Sequence, residues 1–420
     1  MPRFIVQGGK KLRGEVTVGG SKNAALPILC ASMLTDEEVV LENVPDIADI
    51  RSMIKILEAF GAKCDFEANK LTIDHSNKKN GPAPEELVKK MRASILIIGA
   101  LLPRLKEVKM AFPGGCVLGK RSIFSHIHVF KELGAEIIDE KEGIHIRCKK
   151  LKGKKIILPE LSVTATENAV MAAVLADGES EIRLAATEPH VQDLCHFLKK
   201  MGAIISGIGT NNIKIKGVKK LKGAKHKITG DYLEAGTFAI AAAACKGEVL
   251  IKGIDTDHLD SFLQKLGEIG VEMELGDNSI KILQRTQQLK AVKVLRTGTY
   301  PGFPTDLQAP FTVLLTQAKG VSKIFETLFE GRLNYLFELE NMGAHIEFLN
   351  PHQAIVLGPC VLHGKPISSY DIRAGAAMVI AALIAEGTTE ISNVNYIDRG
   401  YSDLDKKLEA LGADIHRITS

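Results

Sequence analysis

Three stretches of this 420-residue chain hold residues whose types and spacing suit anion chemistry. The first is Pro113-Gly114-Gly115-Cys116-Val117-Leu118-Gly119-Lys120-Arg121, where proline and three glycines imply a tight or mobile turn. A cysteine beside Lys120 and Arg121 has its thiolate favoured, so Cys116 is a candidate acid or nucleophile. Cys30, Cys64, Cys148, Cys195, Cys245 and Cys360 read instead as small apolar core residues. The second set stands at the openings of Ala-rich helical segments: Lys22 and Asn23, Arg92, Asp231 with Glu234, Asp306, and Asp371 with Arg373. Asp is a good N-cap, so Asp231, Asp306 and Asp371 taken singly read as caps. The cations do not, because positive charge opposes the dipole at a helix N-terminus, and a bound anion would resolve that conflict. The third stretch is Tyr396-Ile397-Asp398-Arg399-Gly400-Tyr401. Arg399 there either pairs with Asp398 or Asp403 at the surface, or forms one jaw of an anion clamp with Lys22 and Arg121.

The elements that must position these residues recur. Phe60-Gly61-Ala62, Leu133-Gly134-Ala135, Met201-Gly202-Ala203, Ile269-Gly270-Val271, Met342-Gly343-Ala344 and Leu411-Gly412-Ala413 each end an amphipathic helical pattern. A glycine in that place is the expected left-handed helix stop, and the six glycines recur at a period near 70 residues. Alternating strand patterns follow, such as Lys70-Leu71-Thr72-Ile73 and Asn212-Ile213-Lys214-Ile215. Each repeat also holds a second helix that is apolar nearly all round, as in Phe238 to Cys245, and such a helix belongs in the interior. The predicted repeat is strand, buried helix, strand, surface helix, strand, strand. The sixth copy lacks a closing strand, and Phe4-Ile5-Val6 is a spare one. This predicts a first three-repeat domain over residues 21–229 and a second over 1–20 with 230–420, with ligands bound in a cleft between them.

The composition narrows the class. The net charge of +4 comes from 54 basic and 50 acidic residues. That balance, with no Trp and six Tyr, argues against nucleic acid. No apolar run is long enough to span a bilayer, and Met1-Pro2-Arg3-Phe4 does not open a signal peptide. Seven scattered cysteines suit a reducing cytoplasm, and no CxxC pair or His/Cys cluster suggests a metal site.

Six motifs, in order, resemble those of the enolpyruvyl transferase family, in its branch acting on UDP-N-acetylglucosamine. They are Gly20-Ser21-Lys22-Asn23-Ala24-Ala25-Leu26-Pro27, Met91-Arg92-Ala93-Ser94, Pro113-Gly114-Gly115-Cys116, Phe303-Pro304-Thr305-Asp306, Asp371-Ile372-Arg373-Ala374 and Ile397-Asp398-Arg399-Gly400-Tyr401. The resemblance runs essentially end to end. It implies an α/β fold of two inside-out barrels with three repeated units each. It also implies transfer of the enolpyruvyl group of phosphoenolpyruvate to the sugar 3′-hydroxyl by addition and elimination, the first committed step of peptidoglycan synthesis. It calls for no cofactor and no metal, and gives no oligomeric state.

By the same resemblance Lys22, Arg92, Arg121, Arg373 and Arg399 hold the phosphoenolpyruvate anion. Asp306 is the general base and a sugar ligand, and Cys116 is the loop acid and the site fosfomycin alkylates. Asn23 is a sugar contact, and Asp371 is a carboxylate kept close to the lysine. Ser122, Ile123, Phe124, Ser125, Ser162, Val163 and Leu328 complete the substrate contacts. The chain departs from the family pattern at the nucleotide end. The family commonly has Pro-Val-Asp-Leu-His where this chain has Ser122-Ile123-Phe124-Ser125-His126, a small residue at Lys120, a lysine at Glu160, a glycine at Thr164 and an acid at His190. Two rival readings are the sister transferase that uses shikimate 3-phosphate and a non-catalytic paralogue that binds a nucleotide sugar. Cys116 argues against the first. Retention of Lys22, Cys116, Asp306 and Arg399 argues against the second.

Overall fold

The computed structural model describes every residue except 1, 78, 115–121, 140–142 and 420. The chain divides into two compact units, one from residues 1–19 and 230–420, the other from residues within 20–229.

In each unit the apolar helices occupy the interior. Helices Tyr232–Ala244, Thr305–Leu315 and Ile372–Ile384 form the centre of the first and touch one another. Helices Lys22–Ser32, Ile97–Leu105 and Val163–Ala173 are the corresponding set in the second. Their small residues allow the close approach. A Cβ at Gly236 would lie 2.5 Å from a Leu307 methyl, and one at Gly99 would lie 2.5 Å from Asn168 Oδ1, so these glycines are required by contact.

Sheets enclose the helices. Among the described residues, the first unit has three four-stranded sheets, and the second has two four-stranded sheets and one of three strands. The repeat Lys155–Ile157, Val163–Ala173, Glu179–Arg183, Pro189–Lys200, Ile204–Ser206, Asn212–Lys216 follows the predicted order of strands and helices. The six predicted helix stops all adopt positive φ, from 90° at Gly270 to 104° at Gly343. There an L side chain is strained, which explains why glycine recurs.

The ring closures use distant chain. Strand Arg3–Gln7 lies between Thr388–Ser392 and Asp414–Ile418, antiparallel to both. Strand Arg13–Thr17 pairs in parallel with Glu248–Lys252. In the other unit, Lys225–Lys227 returns to pair in parallel with Val39–Glu42. Among the described residues, no helix is long and apolar enough to cross a membrane, and no cluster of His, Cys, Asp or Glu is placed to hold a metal ion.

Candidate functional site

Several residues singled out by the sequence stand at the N-terminal ends of buried helices: Lys22, Ser162 and Val163 in one unit, and Asp231, Asp306, Asp371 and Arg373 in the other. In the unit within residues 20–229, Ser21 caps helix Lys22–Ser32, its Oγ accepting from Ala24 N. The Lys22 ammonium lies 2.7 Å from Asp49 Oδ2, and both side chains are about nine-tenths buried. The anion that the helix-end lysine demanded is therefore supplied, in this structure, by a carboxylate of the protein. Asn23, beside it, is partly exposed.

Arg92 opens the 3-10 turn Arg92–Leu96, and its Nη2 donates to the Ser122 carbonyl at 2.8 Å. Ser122 Oγ accepts from Phe124 N, so the segment Ser122 to Ser125 is tied to Arg92 at one end. Phe124 exposes its ring, which stacks on His128. Ser125 is buried and donates to Glu160 Oε1 at 2.8 Å. Ser162 caps helix Val163–Ala173, whose first residue is Val163. Two residues at which the chain departs from the family pattern, Ser125 and Glu160, are thus partners of one another. Thr164 is likewise partnered by His126.

His126 and Asn168 organise this end of the unit. The Asn168 amide nitrogen donates to Ile95 O and to His126 Nδ1, and its Oδ1 accepts from Gly99 N. With Nδ1 accepting, His126 carries its proton on Nε2 and donates to Thr164 Oγ1. Burial, with the positive charge of Arg92 nearby, pushes its pKa down to about 3, so the ring is neutral. Asn168 carried no sequence signal, because its partners are distant in the chain.

Immediately before Asn168 lies Glu167, buried, with Oε1 unpartnered among the described residues. Burial, reinforced by the charge of Glu188, holds its carboxyl well above the usual range. Folding therefore takes up a proton wherever the unfolded chain's carboxyl is ionised. Wild-type stability is complete below the usual glutamate range and falls as pH rises from there through the folded pKa. Glu167→Gln removes this linkage. Its stability relative to wild type should therefore rise with pH above the usual glutamate range, measured by urea unfolding at a series of pH values upward from about pH 5; a pH-independent difference would contradict the assignment.

In the unit of residues 1–19 and 230–420, Asp231 and Asp371 are N-caps, each accepting from two backbone N–H groups of its helix. Asp306 is not. Pro304 holds the cap position, the helix begins at Thr305, and Asp306 lies in its first turn. Its carboxylate is gripped by two arginines, with Arg332 Nη2 at 2.6 Å and Arg373 Nε at 3.1 Å. Both arginine side chains are at least 95% buried, whereas a quarter of Asp306 faces solvent. Burial pushes the Asp306 carboxyl up, but the two guanidiniums outweigh it and hold it well below the usual carboxylate range.

Arg373 lies over the ring of Tyr401, whose hydroxyl bonds Thr237 Oγ1 at 2.9 Å. Its Nη1 is buried without a partner among the described residues. Leu328 is partly exposed and donates its N–H to Glu326, which also accepts from Thr305 beside Asp306. Arg332 was not among the expected residues; it lies 26 positions from Asp306 in an unremarkable Glu-Gly-Arg-Leu turn.

Arg399 ends the 3-10 turn Val394–Arg399. The neighbour proposed to pair with it, Asp398, is instead taken bidentately by Arg417, and Asp403 pairs with Lys406. Cys116, Lys120 and Arg121 lie outside the described residues.

Comparison with known proteins identifies the family. The model of the EPSP synthase (3-phosphoshikimate 1-carboxyvinyltransferase) family matches residues 6–408. The chain is 46% identical over 415 residues to UDP-N-acetylglucosamine 1-carboxyvinyltransferase 1 of Caldanaerobacter subterraneus, covering 99% of both chains. It is 44% identical over 417 residues to UDP-N-acetylglucosamine 1-carboxyvinyltransferase 2 of Bacillus subtilis, covering 99% of this chain and 97% of that one. Among solved structures, the enolpyruvyl transferase NikO from Streptomyces tendae superposes with a TM-score of 0.90 at 24% identity, covering 100% of this chain and 99% of that one. An EPSP synthase from Acinetobacter baumannii superposes with a TM-score of 0.80 at 18% identity over the whole of both chains. These two establish the fold, and the two high-identity relatives match this chain over nearly its whole length. The chain belongs to the UDP-N-acetylglucosamine 1-carboxyvinyltransferases, within the EPSP synthase family of enolpyruvyl transferases.

Proposed function

We propose that the protein transfers the enolpyruvyl group of phosphoenolpyruvate to the 3′-hydroxyl of UDP-N-acetylglucosamine, releasing phosphate, as a soluble step of peptidoglycan precursor synthesis. The observation that carries the reading is the Asp306 carboxylate, partly open to solvent between two buried guanidiniums, one with a donor that has no partner among the described residues.

In the addition step the hydroxyl oxygen bonds to C2 of phosphoenolpyruvate, Asp306 takes the hydroxyl proton, and C3 gains a proton from Cys116. In the elimination step C3 loses a proton and the C2–O bond to phosphate breaks, restoring the double bond. Phosphoenolpyruvate carries about two to three negative charges, so its approach competes with Asp306 for Arg332 and Arg373. As those cations turn to the ligand, the field that depresses the Asp306 pKa weakens, and the carboxylate becomes a better base when substrate is present. Lys22, Arg92, Arg121 and Arg399 supply the remaining positive charge. Asn23 contacts the sugar, Asp371 is the carboxylate kept close to the lysine, and Ser122, Ile123, Phe124, Ser125, Ser162, Val163 and Leu328 bind the nucleotide sugar.

The intermediate has a methyl group at C3, which makes the mechanism testable. Turnover in deuterium oxide should place deuterium on the vinyl carbon of the product, read by mass spectrometry. A product free of deuterium would exclude the addition–elimination route. Shikimate 3-phosphate is the rival acceptor, since the family model bears that enzyme's name. Identities of 43–46% to the UDP-N-acetylglucosamine enzymes, against 18% to a solved EPSP synthase, favour the nucleotide sugar.

A further inference from the structure

We infer that Arg417 is a positioning residue for Arg399, holding the turn on which Arg399 stands through a fork to Asp398; this rests on the function proposed above. Asp398 immediately precedes Arg399 at the end of the 3-10 turn Val394–Arg399. Arg417 sits near the chain's end on strand Asp414–Ile418, facing Phe4 of strand Arg3–Gln7 in register. Its guanidinium lies over the Phe4 ring, 4.7 Å from the centroid. From there it sends Nη1 and Nη2 to the two Asp398 oxygens at 2.9 and 2.7 Å. Its Nε reaches Asp405 Oδ2 at 2.9 Å, and Nη2 also reaches Asp405 Oδ1 at 3.1 Å.

One planar cation thus fastens both sides of the segment between Asp398 and Asp405. That geometry is specific to arginine, because a lysine ammonium cannot present two parallel N–H groups to one carboxylate while bonding a second. The segment needs such a fastening. Asp403 within it is a non-glycine residue in the left-handed region, with φ of 49°, and so is Asn393 at the start of the turn that leads to Arg399, with φ of 58°. That backbone is costly unless its surroundings enforce it. The opposite side of the turn is set by contact: a Cβ at Gly400 would lie 2.3 Å from an Ile372 methyl, at the start of the helix that carries Arg373. Arg399 therefore stands on a short backbone segment packed against Ile372 on one side and forked to Arg417 on the other. A small shift in a charged clamp is expensive for turnover, since a misplacement of about 1 Å costs as much as 10²-fold.

The test is steady-state kinetics of the full-length protein with phosphoenolpyruvate and UDP-N-acetylglucosamine. Arg417→Gln should lose roughly ten- to a hundredfold in kcat/KM for phosphoenolpyruvate, with the KM for the nucleotide sugar unchanged. Arg417→Lys should lose less. Val6→Ala, which thins the same sheet's buried face without touching the turn, should lower Tm and leave both kinetic constants unchanged. The decisive measurement is a double-mutant cycle: if Arg417 acts through Arg399, Arg417→Gln should cost less than about twofold in an Arg399→Lys background. A folded Arg417→Gln protein with wild-type kcat/KM, or a loss that persists in full alongside Arg399→Lys, would overturn the inference alone. Absence of phosphate release by the wild-type protein would overturn the proposed reaction and this inference with it.

Discussion

Asp306→Asn is expected to lower kcat by roughly 10²–10⁴-fold, the usual worth of a positioned general base, while binding of the anionic donor is retained or strengthened. The split follows from the geometry. Asp306 is the counter-charge of Arg332 and Arg373, both almost fully buried. Asparagine leaves two buried cations without their anion, which costs about 3–5 kcal/mol of stability when one partner of a buried pair is removed. The same vacancy makes the pair a better receptor for a phosphate or carboxylate. Phosphoenolpyruvate should therefore raise the Tm of the variant more than that of the wild type, and its KM should fall or hold as kcat collapses. A variant that loses stability but keeps kcat would mean that Asp306 only neutralises the arginines.

The second large effect concerns Cys116. If the thiol donates the proton that C3 needs, Cys116→Ala should lower turnover by about 10²–10⁴-fold, whereas Cys116→Asp should keep it, because a carboxyl can carry the same proton. Alkylation by fosfomycin needs a sulfur nucleophile, so Cys116→Asp should also escape inactivation. Incubation with the inhibitor followed by an activity assay separates the two roles. Wild-type turnover in Cys116→Ala would reduce the residue to a structural part of its loop.

Much of the framework is visible in the residues. The six helix-stop glycines could be read because positive φ admits few alternatives, and every one of them adopts it. The buried helices could be read because a segment such as Tyr232–Ala244 has no polar face. The site was only partly legible. Asp231 and Asp371 follow the capping pattern, but Asp306 misses it because Pro304 takes the cap position; a two-residue offset of that kind leaves no trace in composition. Arg332, Asn168 and Arg417 were invisible for another reason. Each acts on a residue brought near by the fold: Arg332 on Asp306, Asn168 on Ile95 and His126, Arg417 on Asp398 and Phe4. The conflict at Lys22 was legible as a demand for an anion, though not as Asp49, which lies in the first turn of the next helix.

Some of the residues at which the chain departs from the family pattern are joined to one another in the structure. Ser125 and Glu160 bond each other, and Thr164 bonds His126, so these side chains are partners within one polar set. The helix that begins at Val163 beside them is capped by Ser162.

The central claim, enolpyruvyl transfer to a nucleotide sugar, is tested most directly by measuring phosphate release from phosphoenolpyruvate with UDP-N-acetylglucosamine and, separately, with shikimate 3-phosphate. The account predicts one phosphate released per carboxyvinyl product formed with UDP-N-acetylglucosamine, and only background release with shikimate 3-phosphate. Release with shikimate 3-phosphate in its place, or with neither acceptor, would contradict it.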